Sequence, residues 1–516
     1  MRLLRILLGA GLVFGLLGGP VWAWDVDAPT FRYNGLNSYD RFGQAVANIG
    51  DFNGDGLDDL AVGAPYWDGV FKDCGAVYIF YGTGQIPGVD PDLSAATADV
   101  VIEGWLEEER LGHSIAGLGD FNGDGYNDLA IGAPGMIWNP VRDQGGGVYI
   151  FFGGPGVSGT IFAGRTDVYI KGEAAMDMFG FSVAGGVDFN GDGLGDLAVG
   201  APGNDSLGDM SGKAYIFHGS TGAGGVMYGF NADHQIISDD AGDLLGYSLV
   251  FLPGFGHSST RPVLAVSGLE DEAHNWNHPW AIRAKENSGL VYIIEAGTAA
   301  EPLPANVEAV RDCTWYFYGS QSGEDFGFKL ARVGDFNGGG IEDLLVGAPS
   351  AQTVAGGNPG DDGGMAYLLL GERSSVQGRL GVFPKEDENT VLLYGQNVSR
   401  AQFGWSVCGV GDINRDGLAD VAVGSIGQAS LPPRGAKVHV FTGFLSDPTA
   451  NEPATREAGS QAYVRILGER SPEGSFAYSL AACDFNGTGF MEIVVGAKDH
   501  DGEAGGSGRV EVYSLY

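Results

Sequence analysis

The sequence is short of cysteine, of basic residues and of long apolar runs. Its 516 residues include 4 cysteines, too few for a disulfide scaffold in a chain of this length. Lys and Arg number 28 against 65 Asp and Glu, and the formal net charge of −37 repels nucleic acid and anionic membranes. Beyond residue 23, no apolar run approaches the roughly 18 residues that a membrane-spanning helix needs. The composition therefore argues against a disulfide-rich domain, a nucleic-acid-binding protein and a protein inserted in a membrane.

Familiar catalytic motifs are also missing. The sequence has no G-x-S-x-G elbow and no phosphate-binding loop. His257, His274 and His278 lie in one segment, where they could form a metal site or supply a general base, but ordinary surface histidines have the same appearance. We therefore assign no catalytic residue from the sequence.

The N-terminus has the pattern of an export signal. Residues 1–23, MRLLRILLGAGLVFGLLGGPVWA, contain two arginines, then an apolar core, then small-residue spacing at Val21 and Ala23. This order is typical of a secretory signal peptide. We expect cleavage after Ala23, and a mature chain of residues 24–516 that is secreted, either outside the cell or into a periplasm.

Glycine is abundant, with 90 residues, and much of it lies in a repeated phrase. DFNGDGLDDLAVGAP (51–65) recurs as DFNGDGYNDLAIGAP (120–134) and DFNGDGLGDLAVGAP (188–202). Diverged copies are DFNGGGIEDLLVGAP (335–349), DINRDGLADVAVGS (412–425) and DFNGTGFMEIVVGA (484–497). One more unit, the fourth in chain order, lacks an acidic turn and is visible in residues 244–294. This brings the total to seven units. Self-similarity at a period of about 70 residues indicates a repeat architecture.

Each unit contains four short segments with β character, separated by turn residues. In the first unit, FGQAVANIGD (42–51) is followed by the acidic turn and LAVGAP, then by GAVYIFYG (75–82) and DVVIEG (99–104). Seven such units predict an all-β fold, a seven-bladed β-propeller of four-stranded antiparallel blades.

The first strand of the mature chain and its last strands are expected to belong to one blade. The chain stops at GRVEVYSLY (508–516), a third strand, so the seventh unit lacks its fourth. Residues 30–35, TFRYNG, look like a fourth strand without a blade of its own. We expect this N-terminal strand to close the last blade and to remove an exposed sheet edge.

The acidic turns have the spacing of calcium loops. Positions 1, 3, 5 and 9 supply side-chain oxygens, position 7 supplies a carbonyl, and glycine permits the bend; such hard oxygen ligands suit Ca²⁺ better than Zn²⁺ or copper. The four complete sets are Asp51, Asn53, Asp55, Leu57, Asp59; Asp120, Asn122, Asp124, Tyr126, Asp128; Asp188, Asn190, Asp192, Leu194, Asp196; and Asp412, Asn414, Asp416, Leu418, Asp420. We expect about four well-formed Ca²⁺ sites with a structural, non-catalytic role.

Two further turns are degenerate. The fifth unit has Gly339 at position 5, and the seventh has Thr488 there. Up to two weak metal sites are expected from the oxygen donors that remain, which are Asp335, Asn337 and Asp343 in one turn and Asp484, Asn486 and Glu492 in the other.

The repeats resemble the FG-GAP repeat family, known from the N-terminal β-propeller of integrin alpha subunits. The resemblance rests on Phe42-Gly43 and its equivalents at 179, 326 and 403, on GAP at 63–65, 132–134, 200–202 and 347–349, and on the D-x-N-x-D-G-x-x-D turns. It implies a seven-bladed propeller with Ca²⁺ in hairpin loops. The transmembrane and stalk regions of an integrin subunit are not seen, so integrin signalling is not expected.

Long, varied loops should collect on the face opposite the acidic turns. Aromatic side chains there could stack on sugars or anchor a protein partner, or could simply pack the loops. The candidates are Tyr66, Trp67, Trp105, Trp138, Trp276 and Trp280. The leading prediction is an adhesion or recognition module that binds a protein or carbohydrate through this face. A propeller enzyme acting on polysaccharide, as a lyase or hydrolase, and a non-catalytic lectin remain alternatives.

Overall fold

The seven predicted blades are present and form one ring. The structure, a computed structural model, describes residues 24–26, 28–84, 92–135, 145–238, 240–256, 261–269, 287–298, 302–352, 363–371, 381–382, 387, 389–395, 401–427, 437–445, 454–457, 462–468, 475–500 and 506–515. The described strands make seven sheets, each with four neighbouring antiparallel strands, which follow chain order in six sheets and include an N-terminal strand in the seventh.

First and second strands form the inner half of each blade. The first strands are Ala45–Asn48, Ser114–Gly119, Ser182–Val187, Leu249–Leu252, Lys329–Gly334, Phe403–Gly411 and Ser479–Cys483. The second strands are Leu60–Ala64, Asp128–Ala133, Asp196–Ala201, Val263–Gly268, Asp343–Ala348, Asp420–Ser425 and Glu492–Ala497. Every residue of the second strands is buried, which explains their continuous apolar runs.

Third and fourth strands form the outer half. The third strands are Ala76–Phe80, Gly147–Phe151, Lys213–Phe217, Leu290–Glu295, Met365–Leu369, Lys437–Phe441 and Arg509–Tyr513. The fourth strands are Val100–Glu103, Val168–Lys171, His234–Ile237, Trp315–Tyr318, Thr390–Tyr394, Val464–Leu467 and Phe31–Asn34. As predicted, the N-terminal strand Phe31–Asn34 pairs antiparallel with Arg509–Tyr513 and completes blade 7.

Each blade also has a fifth strand, which the sequence did not predict. In six blades it comes from the connection between the third and fourth strands of the following blade, and in blade 6 it is the N-terminal segment that precedes the fourth strand of blade 7. It pairs parallel with the fourth strand; Gly159–Phe162 of blade 2, for example, pairs with Val100–Glu103 of blade 1. In blade order the fifth strands are Gly159–Phe162, Gly225–Tyr228, Asn306–Glu308, Gly381–Val382, Ala454–Glu457, Trp24–Val26 and Asp92–Ser94. The donated strand covers an edge that would otherwise present unpaired backbone groups.

Helical structure in the described residues is limited to short connections. These are the helix Ala309–Asp312 and the 3₁₀ turns Ala95–Thr97, Ala163–Arg165 and Gly229–Asn231.

The hydrophobic core is divided among the interfaces between blades. One apolar cluster lies between each pair of neighbours; the cluster between blades 7 and 1 joins Phe31, Phe42 and Val510, among others. The sheets pack against one another around the ring, and successive strands of a blade run in opposite directions. Alternate connections of a blade therefore lie on opposite faces of the ring. The turns between first and second strands lie on one face, called here the turn face. The GAP ends of the second strands and the connections leading into FG lie on the other, called the loop face.

Candidate functional site: the acidic turns, the blade junctions and the central ring

The acidic turn of blade 1 is closed by hydrogen bonds from its own backbone. Asp51 Oδ1 accepts from the amides of Gly54 at 2.7 Å and Asp55 at 2.8 Å, and Asp51 Oδ2 accepts from the amide of Gly56 at 2.8 Å. Asn53 Nδ2 donates to Asp55 Oδ2 at 2.9 Å on the exposed side of the turn. The same bonds recur around Asp120, Asp188 and Asp412. The four complete turns therefore share one conformation.

The position-9 carboxylate ties each turn to the rest of its blade. Asp59 is fully buried; its Oδ2 accepts from the amides of Phe52 and Asn53, and its Oδ1 accepts from the amide of Gly82 after the third strand. Burial raises the pKa of Asp59 to about 7, against opposing hydrogen bonds. Equivalent bonds to the residue after the third strand are made by Asp128, Asp196 and Asp420.

The degenerate turns fold in the same way. Asp335 accepts from the amides of Gly339 and Gly340, and Asp484 accepts from those of Thr488 and Gly489. The turn conformation therefore does not depend on a carboxylate at position 5. Among the residues that the structure describes, no group of three or more His, Cys, Asp or Glu side chains is gathered to hold a metal ion.

The complete turns nevertheless concentrate uncompensated negative charge. Each has carboxylates at positions 1, 5 and 9, and within the described ranges none of them forms a salt bridge with a basic side chain. Position 5 is exposed in all four turns, and position 3 is exposed in one of them and half-buried in the other three. These acceptor-only oxygens fit Ca²⁺ chemically. Calcium binding stays a prediction.

The FG and GAP motifs lie where neighbouring blades meet. The amide of Gly43 donates to the carbonyl of Gly63 within blade 1 at 3.0 Å, and Gly43 has a φ of +87°, which glycine adopts most easily. A Cβ on Gly63 would lie 2.1 Å from the carbonyl oxygen of Gly112 in blade 2. Both glycines are therefore needed for the close approach of one blade to the next.

A serine hydroxyl reinforces several of these junctions. Two residues after the FG glycine, Ser114 donates to the carbonyl of Gly180 in the next blade at 2.8 Å. Ser182, Ser406 and Ser479 make the same bond to the carbonyls of Gly246, Ala477 and Gly43. The last of these connects blade 7 to blade 1.

Sequence reasoning missed a buried acid three residues before the FG glycine. Glu109 Oε1 accepts from the amides of Trp105 at 2.5 Å and Leu106 at 2.9 Å, and its Oε2 accepts from the Tyr149 hydroxyl at 2.7 Å. It is 7% exposed, and burial raises its pKa. The equivalent buried acids are Asp40, Asp177, Asp243 and Glu324. The constant offset from the FG glycine is the signal that could have revealed this set.

The loop-face aromatic candidates fall into two groups. The Tyr66 ring lies between the guanidinium groups of Arg41, at 4.1 Å, and Arg110, at 5.0 Å, so both cations already contact it. Trp67 packs against the core between blades 7 and 1, whereas Trp105 is 48% exposed. Trp138, Trp276 and Trp280, with His257, His274 and His278, lie outside the described residues.

A ring of side chains around the propeller axis was not predicted. In every blade the residue that follows the FG glycine faces the channel; in blade 7, Ala477 takes the place of that glycine. These seven residues are called here the central ring: Gln44, His113, Phe181, Tyr247, Phe328, Trp405 and Tyr478. From His113 to Tyr478, successive ring centroids are 4.6 to 5.6 Å apart. The central ring lines a cavity of about 200 Å³ at the loop-face end of the channel.

All four cysteines are free thiols. Cys74, Cys313 and Cys483 are buried, and Cys408 is partly buried. The low cysteine content therefore reflects a fold held without disulfides.

No helix in the described part of the chain has the length and apolar character needed to cross a membrane.

Comparison with known proteins identifies the repeats. The FG-GAP repeat family matches residues 42–80, 111–151, 179–217, 403–429 and 476–513, which lie in blades 1, 2, 3, 6 and 7. These include all four blades with a complete acidic turn.

Curated relatives include integrin alpha subunits and a phospholipase D. Integrin alpha-5 of Xenopus laevis is 35% identical over 185 residues, covering 34% of this chain and 16% of the relative. Integrin alpha-IIb of Mus musculus is 33% identical over 210 residues, covering 36% of this chain and 18% of the relative. Phosphatidylinositol-glycan-specific phospholipase D of Rattus norvegicus is 26% identical over 519 residues, covering 95% of this chain and 56% of the relative. The chain thus spans less than two thirds of each of these proteins.

Proposed function

Because this chain is built from FG-GAP repeats like those of integrin alpha subunits, we propose that it is an exported recognition module, stabilised by Ca²⁺ in four acidic turns. Its loop face binds a protein or carbohydrate in adhesion or surface recognition. The N-terminal signal sequence supports export, and the integrin alignments support recognition.

The observation that carries this proposal is the difference between the two faces of the ring, one regular and one variable. Oxygen donors recur at identical positions of four turns on one face, where three carboxylates per turn form no salt bridge among the described residues. The connections on the opposite face differ in length and sequence from blade to blade. A regular scaffold face and a variable opposite face are typical of proteins that bind through loops.

Bound Ca²⁺ would neutralise carboxylate charge and fix the turn between the first two strands of a blade. Extracellular calcium modules have Kd values of roughly 10⁻⁴–10⁻³ M. At about millimolar Ca²⁺, each such site adds about 0.4–1.4 kcal/mol to the free energy of unfolding. Four sites together would add a few kcal/mol, a sizeable share of typical net stability.

Neutral variants at position 5 test the calcium part. Asp55→Asn, Asp124→Asn, Asp192→Asn and Asp416→Asn keep an acceptor oxygen for the turn amide but remove one charge per turn. Combined, they should reduce the rise in Tm that Ca²⁺ produces while leaving Tm in chelator unchanged or higher. Asp209→Asn, at an exposed acid between the second and third strands of blade 3 and outside every acidic turn, is the control and should alter the Ca²⁺ response little. An undiminished response in the combined variant would contradict the proposal.

An array of polysaccharides and matrix proteins tests the recognition part. Residues 24–516 should bind at least one class in millimolar Ca²⁺, and the double variant Trp276→Ala and Trp280→Ala should lose that binding with Tm unchanged. Loss of fold in the double variant would remove the support for these two residues as a binding patch. Failure to bind any member of either class would count against recognition.

An enzyme is the second candidate, and one observation favours it. The alignment with phosphatidylinositol-glycan-specific phospholipase D extends over 95% of this chain, whereas the integrin alignments cover about a third. A phosphodiesterase assay on a glycosylated phosphatidylinositol, together with lyase and hydrolase assays on polysaccharides, separates the candidates. Turnover that survives repurification would favour the enzyme over the recognition module.

A further inference from the structure

The side chain of one lysine lines the central cavity. At the position where Ser114, Ser182 and their equivalents bridge neighbouring blades, blade 5 has Lys329. Its side chain lines the cavity and keeps accessible surface there, while the surrounding protein lowers the pKa of the ammonium. Within the described part of the chain, Lys329 forms no salt bridge. An exposed ammonium in a cavity, without a carboxylate partner nearby, can pair with an anion that enters the cavity.

Other basic side chains surround the same mouth of the channel. Lys498 Nζ lies 3.8 Å from the ring centroid of Tyr478, a member of the central ring. Burial, together with the nearby charges of Arg110, Lys329 and Lys498, lowers the pKa of His113 to about 4, against a hydrogen bond with the Phe181 carbonyl. The Nε of Arg110 is buried without a hydrogen-bond partner among the described residues.

Two acids, Asp499 and Asp325, lie near these cations or the central ring. Asp499 faces Arg41 at 3.8 Å and accepts a hydrogen bond from Ser475, and it also lies near Lys498. Asp325 accepts a hydrogen bond from the Ser350 hydroxyl. Lys329 lines the cavity itself, whereas Arg110 and Lys498 lie near its lining residues His113 and Tyr478, in a chain whose formal net charge is −37.

We propose that the central cavity binds a small organic monoanion, a carboxylate attached to a flat or sugar ring, with the carboxylate on Lys329 and the ring against the aromatic members of the central ring. This site goes beyond the proposed loop-face recognition, and it does not involve the acidic turns, which lie on the opposite face.

Two properties of the cavity and the net charge of the chain favour this chemical class. The aromatic faces of Phe181, Tyr247, Phe328, Trp405 and Tyr478 favour a planar or apolar ring over a bare inorganic ion. The volume of about 200 Å³ leaves room for a small ligand built on a ring. The strongly negative net charge repels multiply charged anions more than singly charged ones at long range.

Calorimetry and ligand-observed NMR on residues 24–516 test the proposal with defined probes. Benzoate and glucuronate represent the two sources of a ring carboxylate, benzamide and glucose are their neutral matches, and sulfate is a bare dianion. We expect benzoate, glucuronate or both to bind at least tenfold more tightly than the neutral match and than sulfate. Affinity should be the same in Ca²⁺ and in chelator, because the turns lie on the other face.

Variants assign the site. Lys329→Met should weaken binding of the carboxylate at least tenfold, Lys329→Arg should retain it within about threefold, and Lys171→Met, on the fourth strand of blade 2, should have no effect. The Tm of Lys329→Met without ligand should equal or exceed that of the parent, because a partly desolvated ammonium is removed. Equal binding of carboxylate and neutral match, unchanged affinity in Lys329→Met, or no binding of either carboxylate would overturn the proposal. The array test of loop-face recognition is read independently of all three results.

Discussion

The hydroxyl of Ser479 donates a 2.8 Å hydrogen bond to the carbonyl oxygen of Gly43, although the two residues are 436 positions apart in the chain. The bond links the first strand of blade 7 to the FG glycine of blade 1. Together with the pairing of Phe31–Asn34 on Arg509–Tyr513, it closes the ring at the point where the chain begins and ends its circuit.

Removing that hydroxyl should destabilise the closure. Ser479→Ala leaves the Gly43 carbonyl without this donor, so we expect the free energy of unfolding to fall by about 1–2 kcal/mol. Blade 1 has Ala45 at the equivalent position, and Ala45→Ser should gain about 0.5–1.5 kcal/mol by reaching the carbonyl of Gly112. Urea unfolding of the two variants measures both effects. The same sign for both changes would show that the hydroxyl has no specific role at the junction.

The GAP glycine should not tolerate a methyl group. In Gly63→Ala the new Cβ would meet the Gly112 carbonyl oxygen of the next blade at 2.1 Å, and the backbone must shift to relieve that overlap. We expect a loss of about 1–3 kcal/mol, or failure to fold. Gly222→Ala is the control, since the nearest atom to its Cβ would be Ser220 Oγ at 3.9 Å. Comparable Tm values for the two variants would disprove the close-approach explanation of GAP.

The buried acid before FG should be structurally important. Glu109→Ala deprives the amides of Trp105 and Leu106 and the hydroxyl of Tyr149 of their acceptor, so we expect a loss of about 3 kcal/mol or more. Glu109→Gln keeps one acceptor oxygen and should cost roughly half as much. Chemical denaturation of both variants provides the measurement. A loss in Glu109→Gln as large as that in Glu109→Ala would mean that charge, and not hydrogen bonding, sets the effect.

Stability should fall in mild acid partly because of His439. This residue of the third strand of blade 6 is 4% exposed, and burial, followed by the charges of Lys437 and Arg465, lowers its pKa from 6.5 to about 3. The folded state therefore disfavours the imidazolium, and this contribution is complete above about pH 6.5 and is lost as the pH falls toward 3.

A neutral ring at this position provides the comparison. Between about pH 6.5 and pH 4.5, unfolding free energy should drop by roughly 2–3 kcal/mol more in the parent than in His439→Phe. Denaturant titrations of the two proteins at both pH values give this difference. Identical pH dependence would show that His439 becomes protonated in the folded state without penalty.

The blades and their closing strand could be predicted because the signals are local and repeated. The apolar run of Leu60–Ala64 and the turn beginning at Asp51 can each be recognised within one unit, and six copies of the phrase confirm the period. The fifth strands could not be predicted in this way. Gly159–Phe162 pairs with a strand of the preceding blade, and neither its length nor its composition indicates that partner.

The central ring could not be predicted for a different physical reason. Gln44, His113 and Trp405 share a place in the repeat but no chemistry, so a search for similar residues passes over them. Their meeting at one axis is a consequence of ring closure, which one repeat does not contain. The aromatic residues that composition alone made conspicuous, such as Tyr66 and Trp67, prove to contact arginines or the core.

Direct counting of bound calcium tests the central claim most closely. Isothermal titration of Ca²⁺ into chelator-treated residues 24–516 should give about four sites per chain with Kd values of roughly 10⁻⁴–10⁻³ M, accompanied by a rise in Tm. The charge-neutralised turns should lose these sites. Absence of saturable uptake, with Tm identical in Ca²⁺ and in chelator, would contradict the account and leave the acidic turns as hydrogen-bonded hairpins without a metal.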